Sequence, residues 1–119
     1  MATKQETRKW DAEVDIIVVG FGGAGASATL EAAQWGASVL VLDSFHGGGA
    51  TAASGGVVYA GGGTPYQKAA GYEDTVEEMY NYLKQEIGQG VMTDETLRRF
   101  CEQSKEDIRW LAEAGVPFE

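Results

Sequence analysis

The apolar positions of the chain fall into stretches of two kinds. Residues 14–19 (VDIIVV) and 38–42 (SVLVL) are short, nearly continuous and rich in Val, Ile and Leu. That pattern suits strands buried on both faces of a parallel sheet. Between them, residues 23–35 predict a helix lined with Ala24, Ala26, Ala28, Ala32 and Ala33, small enough to pack closely on a sheet. Gly36 fits the left-handed position that ends such a helix. Further on, apolar residues recur twice at helical spacing. Val76, Met79, Tyr80, Leu83 and Ile87 share one face of a helix predicted over 74–87, with Asp74 and Glu77 as its N-cap signature and Gly88 as its stop. Leu97, Phe100, Cys101, Ser104, Ile108 and Leu111 line a second helix over 94–114, capped by Thr93 and ended by Gly115 and Pro117. A separate start at Ser104, with a break near Gln103, fits the same spacing.

The order strand, helix, strand acquires chemistry from what joins its parts. Gly20, Gly22 and Gly25 form G-x-G-x-x-G between the first strand and the helix, and Asp43 closes the second strand. This is the order of a dinucleotide-binding βαβ unit, here 14–43. Gly20 turns the chain sharply out of the strand. Gly22 has no Cβ, so a pyrophosphate can approach the backbone. Gly25 lets the helix lie close to the strand. The free N–H groups of the first helical turn hold the anion, and the Asp43 carboxylate accepts from ribose hydroxyls.

Residues 44–64 (SFHGGGATAASGGVVYAGGGT) are rich in glycine, interrupted by a short strand-like run at Val57, Val58 and Tyr59. Placed directly after the ribose-binding acid, such a segment can lay backbone N–H groups along the rest of a long cofactor. Thr51 and Ser54 add hydroxyls for phosphate or a ring edge. Residues 65–72 read as a connector and 73–115 as a helical part. Residues 1–12 read as a flexible leader, with Trp10 covering the first strand from outside.

Composition narrows the function. The 119 residues suffice for one small domain, and 18 acids against 9 bases give a net charge of −9. That balance argues against nucleic acid and anionic membranes, which reward clustered Lys and Arg. Twelve of the acids and five of the bases lie in 73–119, as expected of solvated helix faces. The single cysteine, Cys101, excludes an intrachain disulfide and reads as a core residue. One histidine and one cysteine cannot form a zinc site. With no apolar signal core and no stretch long enough to span a membrane, the expected location is cytoplasmic.

At this level of detail the chain resembles the N-terminal part of FAD-dependent dehydrogenases of the fumarate reductase and 3-ketosteroid dehydrogenase family. The resemblance rests on VDIIVVGFGGAGASA, on Asp43, on GGATAASGG at 48–56 and on WLAEAGVPF at 110–118. Within that family, YAGGGTPYQKAAG at 59–71 is most similar to the 3-ketosteroid Δ4-(5α)-dehydrogenases. The resemblance implies an α/β fold: the N-terminal βαβ part of a Rossmann-like FAD-binding domain, over 13–119, followed by helices. It assigns Gly20, Gly22, Gly23, Ala24 and Gly25 to the pyrophosphate turn, Asp43 to the ribose, where the family more often has Glu, and Ser44 to the position beyond it. Gly49, Ala50, Thr51, Ser54, Gly55 and Gly56 match the segment that passes the FAD phosphates and flavin. Relatives with covalent flavin carry a histidine where Gly49 stands, so FAD is expected to be non-covalent here, with His46 a polar loop residue.

The implied chemistry is hydride transfer from a keto-activated carbon of a small-molecule substrate, a 3-ketosteroid in the nearest branch, to flavin N5. The catalytic acid and base of that branch lie outside these residues, so no catalytic residue is assigned. Tyr59, Tyr66 and Tyr72 read as packing residues. Two parallel strands do not make a stable sheet. The chain is therefore expected to be an incomplete domain, inactive alone and associating with the missing remainder of the enzyme. Two other readings stand beside this one. Asp43 suits NAD equally, which would make the chain part of an NAD(P)-dependent dehydrogenase. A truncated, non-catalytic chain acting only through a partner subunit is the third.

Overall fold

The computed structural model describes residues 9–88 and 90–118; most of the expected leader, residues 1–8, lies outside them. The chain divides into two compact units after Val57. The first holds β1 (Ile16–Val19), α1 (Gly23–Gln34), β2 (Val39–Leu42) and a short α2 (Gly49–Ala52). The second holds α3 (Pro65–Ala69), α4 (Val76–Ile87) and α5 (Asp94–Glu113).

In the first unit β1 and β2 pair in parallel, from Ile16 opposite Val39 to Val19 opposite Leu42. Each is shorter than its apolar run, because a polar clasp occupies the start of both. The Asp15 carboxylate accepts from the Ser38 N–H (2.8 Å) and hydroxyl (2.6 Å), and the Ser38 carbonyl accepts from the N–H groups of Asp15 and Ile16. This clasp sets the register. α1 packs on both strands and ends as its glycine predicts. Gly36 has φ +82°, its N–H reaches the Ala33 carbonyl, and the Ala37 N–H reaches Ala32, a Schellman motif.

The expected burial of the strands on both faces does not occur within these residues. Ile17 is 58 % exposed and Val19 83 %, since one helix and two strands cannot enclose a sheet. Two further expectations fail here. Trp10 is 71 % exposed, too open to serve as a cover for the first strand. Val57–Tyr59 forms no strand, having no neighbouring strand to pair with among the described residues.

The second unit is built on the α4–α5 hairpin. Met79, Tyr80 and Leu83 of α4 meet Leu97 and Cys101 of α5, with Val76 and Ile87 packed at the margin. Burying each large apolar side chain contributes about 1.5–3 kcal/mol. The Tyr80 ring lies 4.2 Å from the Arg98 guanidinium, and Arg98–Glu77 and Lys84–Asp94 ion pairs link the helices. α5 is one continuous helix with Thr93 as N-cap, so no break falls near Gln103. Phe100 sits at the edge of the buried stripe and is 40 % exposed, against the expectation. The α4 cap is Thr75, whose hydroxyl accepts from the Glu78 N–H, one residue beyond the expected Asp74. The connector at 65–72 contains α3. Its signal was legible: Thr64-Pro65-x-Gln67 is a capping box with proline at the first helical position, and both reciprocal bonds form. No helix among the described residues is long and apolar enough to cross a membrane.

Candidate functional site

The site is assembled from the end of β1, the start of α1, the end of β2 and the loop leading into α2. Its geometry follows from where the backbone N–H groups go. The Gly20 N–H bonds the Leu42 carbonyl at 2.7 Å, extending the ladder by one residue, and φ +94° then turns the chain away. A Cβ on Gly25 would overlap the Gly20 carbonyl oxygen and press on Val18, so this glycine is required for helix and strand to touch.

Two N–H groups of the turn are claimed by side chains. The Phe21 N–H donates to Asp43 Oδ2 at 2.6 Å, and the Phe45 N–H to Asp43 Oδ1 at 2.8 Å. These bonds, Phe21's first, hold the Asp43 carboxyl below the usual carboxylate range. A carboxylate has about four acceptor sites, so each oxygen keeps room for a second donor. The Gly23 N–H donates to Thr51 Oγ1 at 3.0 Å, with the threonine so close that a Cβ on Gly23 would stand 2.9 Å from that oxygen. The Gly23 N–H, expected to face a pyrophosphate, is thus occupied. The Thr51 hydroxyl accepts from Gly23 and keeps its own proton to donate.

That leaves the N–H groups of Gly22, Ala24 and Gly25 without a protein acceptor among the described residues. They lie at the positive end of α1, whose first turn carries no acidic side chain. Gly22 itself has φ −85°, which any residue adopts, and an added Cβ would meet nothing of the protein closer than 3.8 Å. Packing does not require glycine there. The space beside Gly22 leaves the backbone open to close approach, and free N–H groups at a helix start are the kind of donors that hold an anion.

α2 and the glycines before it were not foreseen as structured. Gly48 and Gly49 have positive φ, and the Gly49 backbone rests on that of Gly22, with a Cβ on Gly49 3.2 Å from Gly22 Cα. The structure therefore brings together Gly20, Gly22, Gly23, Ala24, Gly25, Asp43, Gly49 and Thr51, with Ala50 exposed on α2 between the last two. Ser44, Ser54, Gly55 and Gly56 are exposed, and no hydrogen bond joins them to the turn among the described residues. The Ser54 hydroxyl donates to the Thr51 carbonyl at 2.8 Å and closes α2 locally.

The second half of the glycine-rich segment has a different role from the one expected. The N–H groups of Gly61, Gly62 and Gly63 donate to Ser104 Oγ (3.0 Å), Asp74 Oδ2 (2.8 Å) and Gln67 Oε1 (3.1 Å). These donors are satisfied within the second unit and are not a cofactor cradle. Of the three tyrosines read as packing residues, Tyr66 packs edge to face on Phe118 with ring centroids 5.6 Å apart, while Tyr59 and Tyr72 are 56 % and 69 % exposed. Cys101 is fully buried, and burial raises its thiol pKa, as its place on the apolar stripe implied.

Comparison with known proteins adds four findings. Residues 15–119 match the model of the family described as FAD binding domain. The chain is 47 % identical over 110 residues to 3-oxo-5-alpha-steroid 4-dehydrogenase of Comamonas testosteroni, covering 92 % of this chain and 20 % of that protein. It is 36 % identical over 104 residues to NADH:fumarate oxidoreductase of Klebsiella pneumoniae, covering 86 % and 11 %. Among solved structures, it superposes with a TM-score of 0.87 and 46 % identity on 3-ketosteroid-delta4-(5alpha)-dehydrogenase from Rhodococcus jostii RHA1, crystallised with 4-androstene-3,17-dione. That match covers 96 % of this chain and 24 % of the other. The chain spans about a fifth of the length of the steroid relative it matches.

Proposed function

The chain belongs to the FAD binding domain family, and from that premise we propose that it is the cofactor-binding portion of a flavin-dependent oxidoreductase acting on a 3-ketosteroid or a ketone of similar shape. The observation that carries the proposal is the Gly22 turn: three unclaimed N–H groups around a glycine that no packing contact requires. The family match sets the nicotinamide alternative aside. The steroid class is supported by the two steroid dehydrogenases above, each nearly half identical to this chain.

FAD, when bound, supplies the hydride-accepting centre. The residues of this chain bind and orient it. The N–H groups of Gly22, Ala24 and Gly25 hold the diphosphate, reinforced by the α1 dipole. Thr51 donates its hydroxyl proton to a phosphate oxygen, because its oxygen is already an acceptor for Gly23. Asp43 accepts from the ribose hydroxyls with the lone pairs that Phe21 and Phe45 leave open. Ser44, Ala50, Ser54, Gly55 and Gly56 extend the contact toward the flavin. Attachment is non-covalent, since Gly49 offers no side chain for a covalent link, and the exposed His46 is a loop residue. A cytoplasmic location belongs to the same proposal, with cell fractionation as its test.

Native mass spectrometry of the full-length protein tests the cofactor, and steroid turnover with a dye acceptor tests the substrate. The expected result is one FAD per chain, released on unfolding, with reduction of the dye by a 3-ketosteroid. A protein that retains no flavin would overturn the reading. One that retains flavin but oxidises only a non-steroid acid would overturn the substrate class.

A further inference from the structure

Phe21 is the one side chain of the glycine turn with no part in the reading above, and it is more firmly held than its position demands. Its N–H donates to Asp43 at 2.6 Å, and its carbonyl accepts from the Gly48 N–H at 2.6 Å. The edge of its ring, at Cδ1, points at Gly47. A Cβ there would stand 2.7 Å from Phe21 Cδ1, and Gly47 has φ +83°. Phe21 is 38 % exposed, so packing on its neighbours covers most of its surface. What it does is fasten residues 47–49. From there the chain continues to Gly49, stacked on Gly22, and to Thr51, bonded to Gly23. The contacts close a circuit that begins and ends in the turn.

We propose that Phe21 is a positioning residue for the FAD diphosphate: its ring pins the 47–49 loop to the glycine turn, so that the Gly22–Gly25 donors and the Thr51 hydroxyl stand in their binding arrangement before the cofactor arrives. The inference rests on the FAD reading above. Its physical basis is preorganisation. A loop already held in place does not have to be ordered when the ligand binds, so the affinity is higher. The backbone bonds of residue 21 are open to any amino acid, whereas the contact with Gly47 is made by the rigid edge of the ring. This separates the role of the side chain from that of the motif.

The test is FAD affinity of the full-length protein, stripped of cofactor and titrated by flavin fluorescence. Phe21→Ala weakens FAD by about tenfold, the scale of re-ordering a single residue of backbone. Phe21→Tyr restores affinity to within about twofold, and Phe21→Leu, apolar but without the rigid ring edge, does not. Gly47→Ala supplies an independent reading. The strain of its positive φ is the same in both backgrounds and cancels in a double-mutant cycle. The clash with the ring does not cancel, so Gly47→Ala costs more affinity beside Phe21 than beside Ala at that position. The inference fails if Phe21→Ala binds FAD as tightly as the native protein. It fails equally if Leu rescues as well as Tyr, or if Gly47→Ala changes affinity by one factor in both backgrounds. If the native protein binds no FAD, the functional reading falls and takes this inference with it.

Discussion

Replacing Asp74 by Asn puts the glycine run of the second unit to a quantitative test. Asp74 Oδ2 accepts from the Gly62 N–H and from Gln67 Nε2, both at 2.8 Å, and Oδ1 accepts from the Thr75 N–H at 2.9 Å. An asparagine has one acceptor atom for these three donors. With its oxygen in the Oδ2 place it keeps Gly62 and Gln67, while its NH2 faces the Thr75 N–H, donor against donor. The opposite orientation loses both of the others. The better choice thus loses one bond to a charged acceptor and removes the charge assistance from two more. Such bonds contribute about 1.5–3 kcal/mol each, against about 1 kcal/mol for a neutral pair. Thr75 is exposed and water can replace its lost partner, so the net cost falls at about 2 kcal/mol. Hydrogen exchange at residues 61–64 reads this directly, and 2 kcal/mol corresponds to roughly 30-fold faster local opening. The pH dependence supplies a second check. Burial would raise the Asp74 carboxyl, yet the bonds from Gln67, Gly62 and Thr75 outweigh it and hold the pKa below the ordinary value. Its contribution is therefore complete above the unfolded value of about 3.9 and is lost as pH falls through the lower folded value. The gap between native protein and variant holds at pH 5 and closes on further acidification. An exchange rate changed by less than about threefold, or a gap that stays constant through acidification, would refute the assignment of this turn to the carboxylate.

Four other expectations follow from the first unit and the core. Gly22→Ala meets nothing closer than 3.8 Å, so the cofactor-free protein keeps its urea midpoint while FAD affinity falls by tenfold or more, roughly the loss of one charge-assisted bond. Gly25→Ala drives a Cβ into the Gly20 carbonyl and lowers both the midpoint and the affinity, so the pair separates ligand approach from packing. Thr51→Val removes the acceptor for the Gly23 N–H and the proton offered to phosphate; FAD titration should show a loss of about tenfold that Thr51→Ser recovers in large part. Cys101, fully buried with a raised thiol pKa, should resist alkylation in the folded protein and react at once in urea, as a timed mass measurement would show.

Much of this protein was legible from the chain alone, for a local reason. A short continuous apolar run, a periodicity of 3.6 residues, a glycine where φ is positive, and a hydroxyl before a helix are properties of neighbouring residues. They located β1, α1, β2 and the two long helices to within a residue or two, and they placed the glycine turn with the acid that follows it. Even α3 was written in Thr64, Pro65 and Gln67. Tertiary structure decided which donors remain open, because hydrogen-bond partners distant in sequence compete for the same N–H group. Thr51, twenty-eight residues from Gly23, takes that N–H, and Asp43 takes the one on Phe21. Ser104 and Asp74 close a glycine run whose composition matched a cofactor cradle. Two glycine-rich stretches of similar composition thus have different roles. In the first, N–H groups around Gly22 stay without a protein acceptor; in the second, the side chains of Ser104, Asp74 and Gln67 satisfy the N–H groups of Gly61, Gly62 and Gly63.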